Sequence, residues 1–283
     1  MADDLPTISV IVAVYNGAAT LQRCLDSITR QTYAKKELIV MDGSSTDGTV
    51  DILKANSDKI SYWESEKDRG MYHAWNKAVE RATGEWICFL GCDDRFWDDS
   101  VLERLSVHLP TAYPPIRLVH GQNAQVSRAG EVIRYRGEPW DRARKGILHT
   151  LTIPHSGAMH HRSLFEVHGN FDESFRIVGD YDLLLCELRT GEALFVPGII
   201  VVAFQYGGMT NSPETIVKLT EELKRLRQKH GIRYGLTNGF TKVSLKMAIC
   251  ALVVRRFGPQ TFTTVSNAFR RLRGRPEVWG SEQ

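Results

Sequence analysis

Three acidic positions carry the chemical interest of this 283-residue chain. Asp93-Asp94 follows the apolar run Trp86-Ile87-Cys88-Phe89-Leu90 and Gly91-Cys92. Two adjacent carboxylates offer only oxygen ligands, which suits Mg²⁺ or Mn²⁺ bridging a diphosphate. A metal so held acts as a Lewis acid on the leaving group. The same pair ahead of a helix also serves as a cap for free N–H groups. Asp42 precedes the turn-rich run Gly43-Ser44-Ser45-Thr46-Asp47-Gly48. It can bond a base or ribose, as the acid ending the second strand does in dinucleotide folds. It can equally belong to an ordinary loop in which Asp47 caps the next helix. Asp180-Tyr181-Asp182 heads a helical pattern. One of its carboxylates can take a proton from a hydroxyl as a general base, or both can cap and favour the helix dipole. His155 is a further candidate. His160 and His161 adjoin on a strand, so they point to opposite faces and cannot share one site.

These residues need a scaffold, and the pattern supplies one. Ile8 to Val14 is almost wholly apolar and β-branched, as in a parallel strand covered on both faces. Leu21, Leu25 and Ile28 then recur at helical spacing. Glu37–Met41, Ile60–Glu64 and Trp86–Leu90 read as further strands, with helices at Thr49–Asn56 and Met71–Thr83 between them. The βαβαβαβ order predicts a doubly wound α/β sheet whose ligands sit beyond the carboxyl ends of its strands. Asn16, Asp42 and Asp93 all fall at such ends. Beyond residue 110, Leu118–Asn123 and Gln125–Arg136 read as strands with a turn at Arg128-Ala129-Gly130, and Gly157–His161 as another strand. Helices are expected over Asp180–Arg189, Glu214–His230, Phe240–Phe257 and Thr261–Arg273.

Charge is unevenly spread. The formal net charge is +3, yet 14 Lys/Arg stand against only Glu221 and Glu222 between Lys218 and Pro276, a local excess of +12. With Glu277 and Glu282 set aside, the first 217 residues carry −7. Apolar residues such as Leu226, Ile249, Leu252, Phe262, Val265 and Phe269 interleave with those cations. A basic amphipathic helix suits an anionic membrane surface, and the same residues can instead pack on the sheet. No nucleic-acid module accompanies the charge. The longest apolar runs, Ala193–Phe204 and Met247–Val254, fall short of the ~20 residues of a spanning helix. The start, Met1-Ala2-Asp3-Asp4, reads as no export signal, and five cysteines without C-x-x-C spacing read as reduced thiols, so a cytoplasmic location is expected. G-x-G-x-x-G and G-x-x-x-x-G-K-[ST] are both missing, which argues against a dehydrogenase and a P-loop enzyme.

Taken together, Ile8–Asn16, Glu37–Thr49, Asp68–Lys77 and Gly84–Asp94 resemble the family 2 glycosyltransferases of the GT-A fold, in that family's order and spacing. His155-Ser156-Gly157, Gly169–Glu173 and Gly179–Leu183 resemble a branch that builds bacterial O-antigens and other surface polysaccharides. The resemblance covers about residues 7 to 210. It implies a GT-A domain over 1–212, with a nucleotide-sugar-binding half (1–110) and an acceptor half (111–212), followed by a basic helical extension (213–283). It implies an inverting transferase dependent on Mn²⁺ or Mg²⁺. The donor would be a nucleotide-sugar, commonly a UDP-sugar, and the acceptor a glycan or polyprenyl-diphosphate-linked hydroxyl, with the chain peripheral on the inner face of the cytoplasmic membrane. Ala13, Tyr15 and Asn16 would line the nucleobase pocket and Asp42 would bind the base. Asp68, Gly70 and Asn76 would shape the donor side. Asp93, with Asp94 beside it, matches the metal-binding acid, and Asp180 matches the catalytic base, with Asp182 a lesser candidate. The sequence departs from the family at Gly91, where many members have the first Asp of Asp-x-Asp, and at Gly179, where many have Glu. Those departures leave a silent nucleotide-sugar-binding protein as one alternative. A sugar-phosphate nucleotidyltransferase is another, although Tyr15-Asn16-Gly17-Ala18-Ala19 is no Gly-rich phosphate loop.

Overall fold

A computed structural model describes residues 5–127, 129–205, 213–232 and 240–272. The first four residues, Arg128 of the expected turn, and parts of the basic segment at 233–239 and beyond 272 lie outside the described residues. The chain divides into two compact units, Met1–Gln205 and Tyr206–Gln283.

The first unit is built on one nine-stranded sheet. Its strands are β1 (Ile8–Val14), β2 (Lys36–Asp42), β3 (Tyr62–Ser65), β4 (Trp86–Gly91), β5 (Arg95–Phe96), β6 (Leu118–Val126), β7 (Val132–Arg136), β8 (Met159–His161) and β9 (Leu194–Gln205). Their order is β3-β2-β1-β4-β8-β6-β9-β5, with β7 paired to β6. The run β3-β2-β1-β4 is parallel. β8 is antiparallel to β4 and β6, and β9 runs parallel to β6. The helices of this unit are α1 (Ala18–Thr29), α2 (Thr49–Ala55), α3 (Met71–Arg81), α4 (Val101–Ser106), α5 (Leu109–Ala112), α6 (Trp140–Ala143), α7 (Ser163–His168) and α8 (Gly179–Leu188).

Alternate residues of the parallel strands face opposite layers. Ile8, Val10, Val12 and Val14 pack in one cluster with Leu21, Leu25 and Ile28 of α1 and Val101, Leu102 and Leu105 of α4. The opposite face receives α3, whose Trp75 lies 4.8 Å from Phe89, ring centre to ring centre. Burying each such side chain stabilises by about 1.5–3 kcal/mol, so both helix layers hold the strand tips in place.

One long element differs from the sequence expectation. The apolar run around Ala193–Phe204 is a twelve-residue strand, β9, that passes through Pro197-Gly198. Gly198 has φ +75, and the pairing of β6 with β9 shifts register between His120 and Asn123. Pro supplies no ladder donor, so it is tolerated at this irregular stretch and hides the strand signal. The expected break at Ala124 is absent, since β6 runs unbroken from Leu118 to Val126.

The second unit contains α9 (Pro213–Lys229), α10 (Phe240–Phe257) and α11 (Pro259–Leu272). Leu226, Ala251, Val254 and Phe262 are buried. Ile249, Leu252, Phe257, Val265, Phe269 and Leu272 are exposed. No helix of the described residues is long and apolar enough to cross a membrane.

Candidate active site

The parallel register aligns three strand tips. Ala13 pairs with Met41 on one side and Gly91 on the other, and Asp42 lies between Val14 and Ser65. Just beyond, the chain turns at Asn16, which adopts φ +50. Its backbone N–H donates to Ser45 Oγ at 2.7 Å, and its Oδ1 accepts from Thr46 N–H at 2.9 Å. Gly17 N–H donates to Thr49 Oγ1 and Ala18 N–H to Asp47 Oδ2, at 2.9 and 3.0 Å. The loop after β2 therefore caps the start of α1, satisfying donors that the helix cannot pair itself. Asp47 also accepts from Thr49 N–H and Oγ, which is the capping expected of it.

Asp42 is fully buried. Its Oδ2 accepts from Ser45 N–H at 3.0 Å and from the Ser65 hydroxyl at 2.6 Å, and its Oδ1 accepts from the Ser45 hydroxyl. Tyr15 stands 67% exposed beside it. The Tyr15 ring lies over Gly43, where a Cβ would come within 3.3 Å of it.

The tip of β4 is held differently. Asp94 is buried, with Oδ1 accepting from Gln205 N–H and Oδ2 from the Ser156 hydroxyl, both at 2.9 Å. Burial, then the charge of Asp93, push its pKa up to about 7 despite those bonds. Asp93 is partly exposed. Burial raises its pKa as well, opposed by its own N–H and by Arg23. Among the described residues the Asp93 carboxylate is bonded only by that N–H. Both carboxylates crowd one point above Gly91: a Cβ there would lie 2.9 Å from Asp93 Oδ1 and 2.9 Å from Asp94 Oδ2. The departure at Gly91 thus has a steric reason, since any side chain would push the two acids aside.

Whether this tip suits a hard cation can be judged from its donors. Among the described residues no three His, Cys, Asp or Glu groups converge. Mg²⁺ and Mn²⁺ do not require that, because Mg²⁺ sites commonly use one or two carboxylates plus substrate phosphates. An under-bonded carboxylate pressed against a second one fits such a cation, which would relieve their repulsion.

The segment from Asp68 to Asn76 forms another wall. Asp68 Oδ1 is 2.7 Å from His73 Nδ1 and 2.9 Å from Lys77 Nζ, while its Oδ2 is buried with no hydrogen-bond partner among the described residues. Gly70, at φ +139, lets Arg176 approach to 2.2 Å of where a Cβ would sit. Asn76 accepts from Phe171 N–H at 2.9 Å and donates to Phe171 C=O at 3.0 Å. These bonds tie α3 to the chain leading into α8.

At the head of α8, Asp180 is half-buried, and its Oδ1 accepts from its neighbour Tyr181 N–H at 2.8 Å and from the Tyr72 hydroxyl at 3.2 Å. Gly179 has its own steric reason, since a Cβ there would lie 2.7–2.9 Å from three carbons of the Tyr72 ring. Asp182, two residues on and so on the far side of the helix, is buried. His155 lies within an aromatic cluster, 5.1 Å from Trp75 and 5.2 Å from Phe89 between ring centres. Burial, then the neighbouring His160, hold its pKa well below the usual value.

The register thus unites Ala13, Asp42 and Gly91, while Ser156 joins Asp94 to the segment after His155, and Tyr72 joins α3 to Asp180. Ser65, Ser156, Gln205 and Tyr72 were not singled out by sequence reasoning. Two of them had a signal: Ser156 lies inside His155-Ser156-Gly157, and Tyr72 lies inside the Asp68–Lys77 motif while the unexplained Gly179 marked a space something else fills.

The sequence profile of Glycosyl transferase family 2 matches residues 9–166. The PGL/p-HBAD biosynthesis glycosyltransferase of Mycobacterium bovis is 33% identical over 226 residues, covering 78% of this chain and 84% of the relative. A glycosyltransferase of Rickettsia typhi is 28% identical over 233 residues, covering 78% and 70%. Among solved structures, Staphylococcus aureus TarS superposes with a TM-score of 0.59 at 16% identity, over 90% of this chain and 44% of TarS. The mannosyltransferase PcManGT of Pyrobaculum calidifontis, in complex with GDP-Man and Mn²⁺, gives 0.58 at 20% identity, over 96% and 76%. The two structures establish the fold, a GT-A-like mixed and mostly parallel sheet flanked by helices.

Proposed function

Because the chain belongs to the family 2 glycosyltransferases, we propose that it transfers a sugar from a nucleotide-sugar donor to an acceptor hydroxyl by a single inverting displacement. The acceptor O–H proton passes to Asp180 as its oxygen bonds C1 of the sugar. The C1–O bond to the diphosphate breaks, and the nucleoside diphosphate leaves with the electron pair. Placement of Asp180 in the first turn of α8 supports this role, since the helix dipole suits a negative group there and the Tyr72 hydroxyl holds the carboxylate in place.

The observation that carries the reading is the under-bonded Asp93 beyond β4, where ligands of such sheets sit. Asp93, backed by Asp94, would hold Mn²⁺ or Mg²⁺, which offsets charge on the departing diphosphate when bound. Ala13, Tyr15, Asn16 and Asp42 would form the nucleobase end of the cleft, with Asp68, Gly70 and Asn76 shaping its donor wall. His155 and Asp182 remain packing residues in this account. A UDP-sugar is the favoured donor. TarS has been solved with UDP and with UDP-GlcNAc, and PcManGT with GDP-Man and Mn²⁺. A relative named for PGL/p-HBAD biosynthesis supports a lipid-linked or glycan acceptor in surface-glycan assembly.

Peripheral attachment to the inner face of the cytoplasmic membrane belongs to the same reading. Val265, Phe269 and Leu272 stand at i, i+4 and i+7 as one exposed apolar stripe of α11, beside exposed Arg271. Exposed Leu252 and Phe257 flank Arg255 and Arg256 on α10. Such faces suit anionic lipid. Flotation with anionic liposomes should fall on Phe269→Glu; equal flotation would contradict attachment through this stripe.

The reading is tested by nucleoside-diphosphate release from UDP-, GDP- and dTDP-sugars, with Mn²⁺ or with EDTA. Release from one donor that needs the metal and Asp93 is expected. A panel that is neither bound nor turned over would overturn it.

A further inference from the structure

We infer that Tyr72 is a positioning residue for Asp180: its phenol, wedged beneath Gly179, fixes the carboxylate that receives the acceptor proton. This rests on the base assignment proposed above. Tyr72 is 1% exposed and sits in the first turn of α3. Its ring stacks on Phe171 at 5.6 Å and meets the edge of Trp75 at 5.5 Å. Gly179 lies against the ring as well, leaving space for it only because it has no side chain. Packing on these sides locks the side-chain torsions, so the hydroxyl has one place to be.

From that place it donates to Asp180 Oδ1 at 3.2 Å, and Tyr181 N–H donates to the same oxygen at 2.8 Å. Two donors on one oxygen set the plane of the carboxylate. A general base works only when held within hydrogen-bond reach of the proton it takes, in a defined direction. Burial, then the charge of Asp180, hold the Tyr72 pKa well above its usual value, so the phenol remains a donor at neutral pH. Gly179 and Tyr72 therefore form one device: the glycine is the opening through which a buried aromatic reaches the base. The resembling family often places Glu where Gly179 stands, and here the ring fills that space.

The test compares Tyr72→Phe, Gly179→Ala and Asp180→Asn with the wild-type chain. The probe is whichever UDP-, GDP- or dTDP-sugar the wild type turns over, with water as acceptor. Tyr72→Phe deletes one oxygen and keeps the packing, and a hydrogen bond to a charged group accounts for about 10- to 100-fold in rate. A kcat loss of that size with donor KM unchanged is expected. Gly179→Ala keeps the hydroxyl but displaces the ring, and should also lower kcat at constant KM. Wild-type kcat in either variant, or a loss confined to KM, would overturn the inference. Asp180→Asn separates the two levels: wild-type turnover there removes the base itself, whereas an inactive Asp180→Asn beside a fully active Tyr72→Phe removes only the positioning role.

Discussion

Asp42 ends β2 and Asp93 lies two residues beyond the end of β4, the two strands flanking β1 in the parallel run of the sheet, yet the chain treats them in opposite ways. Asp42 is fully buried and takes three hydrogen bonds from Ser45 and Ser65. Asp93 is bonded by its own N–H alone among the described residues, with Asp94 crowded beside it. A buried carboxylate is tolerated when local donors satisfy it. The acid at β2 therefore builds the loop that caps α1, and the acid at β4 is left wanting a positive partner. Both are aspartates at the tip of a parallel strand, Asp42 within β2 and Asp93 just past β4; the donors offered by neighbouring chain made the difference.

That contrast can be broken most sharply by stability measurements in EDTA. Asp42→Ala should cost roughly 3 kcal/mol, because it removes three hydrogen bonds that half-buried Ser45 and Ser65 donate to a buried carboxylate. Asp93→Ala should cost nothing and raise the midpoint, since it relieves Asp94 of a neighbouring charge. Equal losses from denaturant unfolding would erase the distinction. Next in size, Gly91→Ala should lower donor turnover by roughly tenfold, as the new Cβ displaces both carboxylates; full activity would show the crowding to be irrelevant. A smaller effect, about 1 kcal/mol, is expected for Ser65→Ala, one of three donors to Asp42.

Away from the rim, burial pushes the pKa of His120 and His160 down to about 4, and that of His155 well below its usual value. Only the unfolded chain then takes up protons on these rings as pH falls from about 6.5. Their contribution is complete above that pH and is lost progressively toward pH 4. Replacing His160 by Gln should flatten this part of the thermal-stability profile, and an unchanged slope would count against a neutral buried imidazole.

The parallel half of the sheet was legible because β1, β2 and β4 are largely apolar runs that lead into polar residues, Asn16, Asp42 and Asp93-Asp94. β9 was not, because Pro197-Gly198 interrupts its pattern, and β5 has only two residues. The acids themselves were legible from their places at strand and helix ends. What holds them was not: Ser156 and Gln205 reach Asp94 from 62 and 111 residues away, and Tyr72 reaches Asp180 across 108. Such pairings come from topology, to which local periodicity is blind. The two puzzling glycines, 91 and 179, become intelligible only with those partners in view.

Asp93 and Asp180 divide the labour of metal-dependent donor binding and proton transfer in this reading, which is tested most directly by donor binding and donor turnover measured on the same two variants. Calorimetry with Mn²⁺ and the donor that the wild type uses, beside nucleoside-diphosphate release, should show Asp180→Asn binding normally while turning over at least about 10³-fold more slowly. Asp93→Ala should lose both metal-dependent binding and turnover. Normal turnover by Asp180→Asn, or metal-dependent binding retained by Asp93→Ala, would contradict the account.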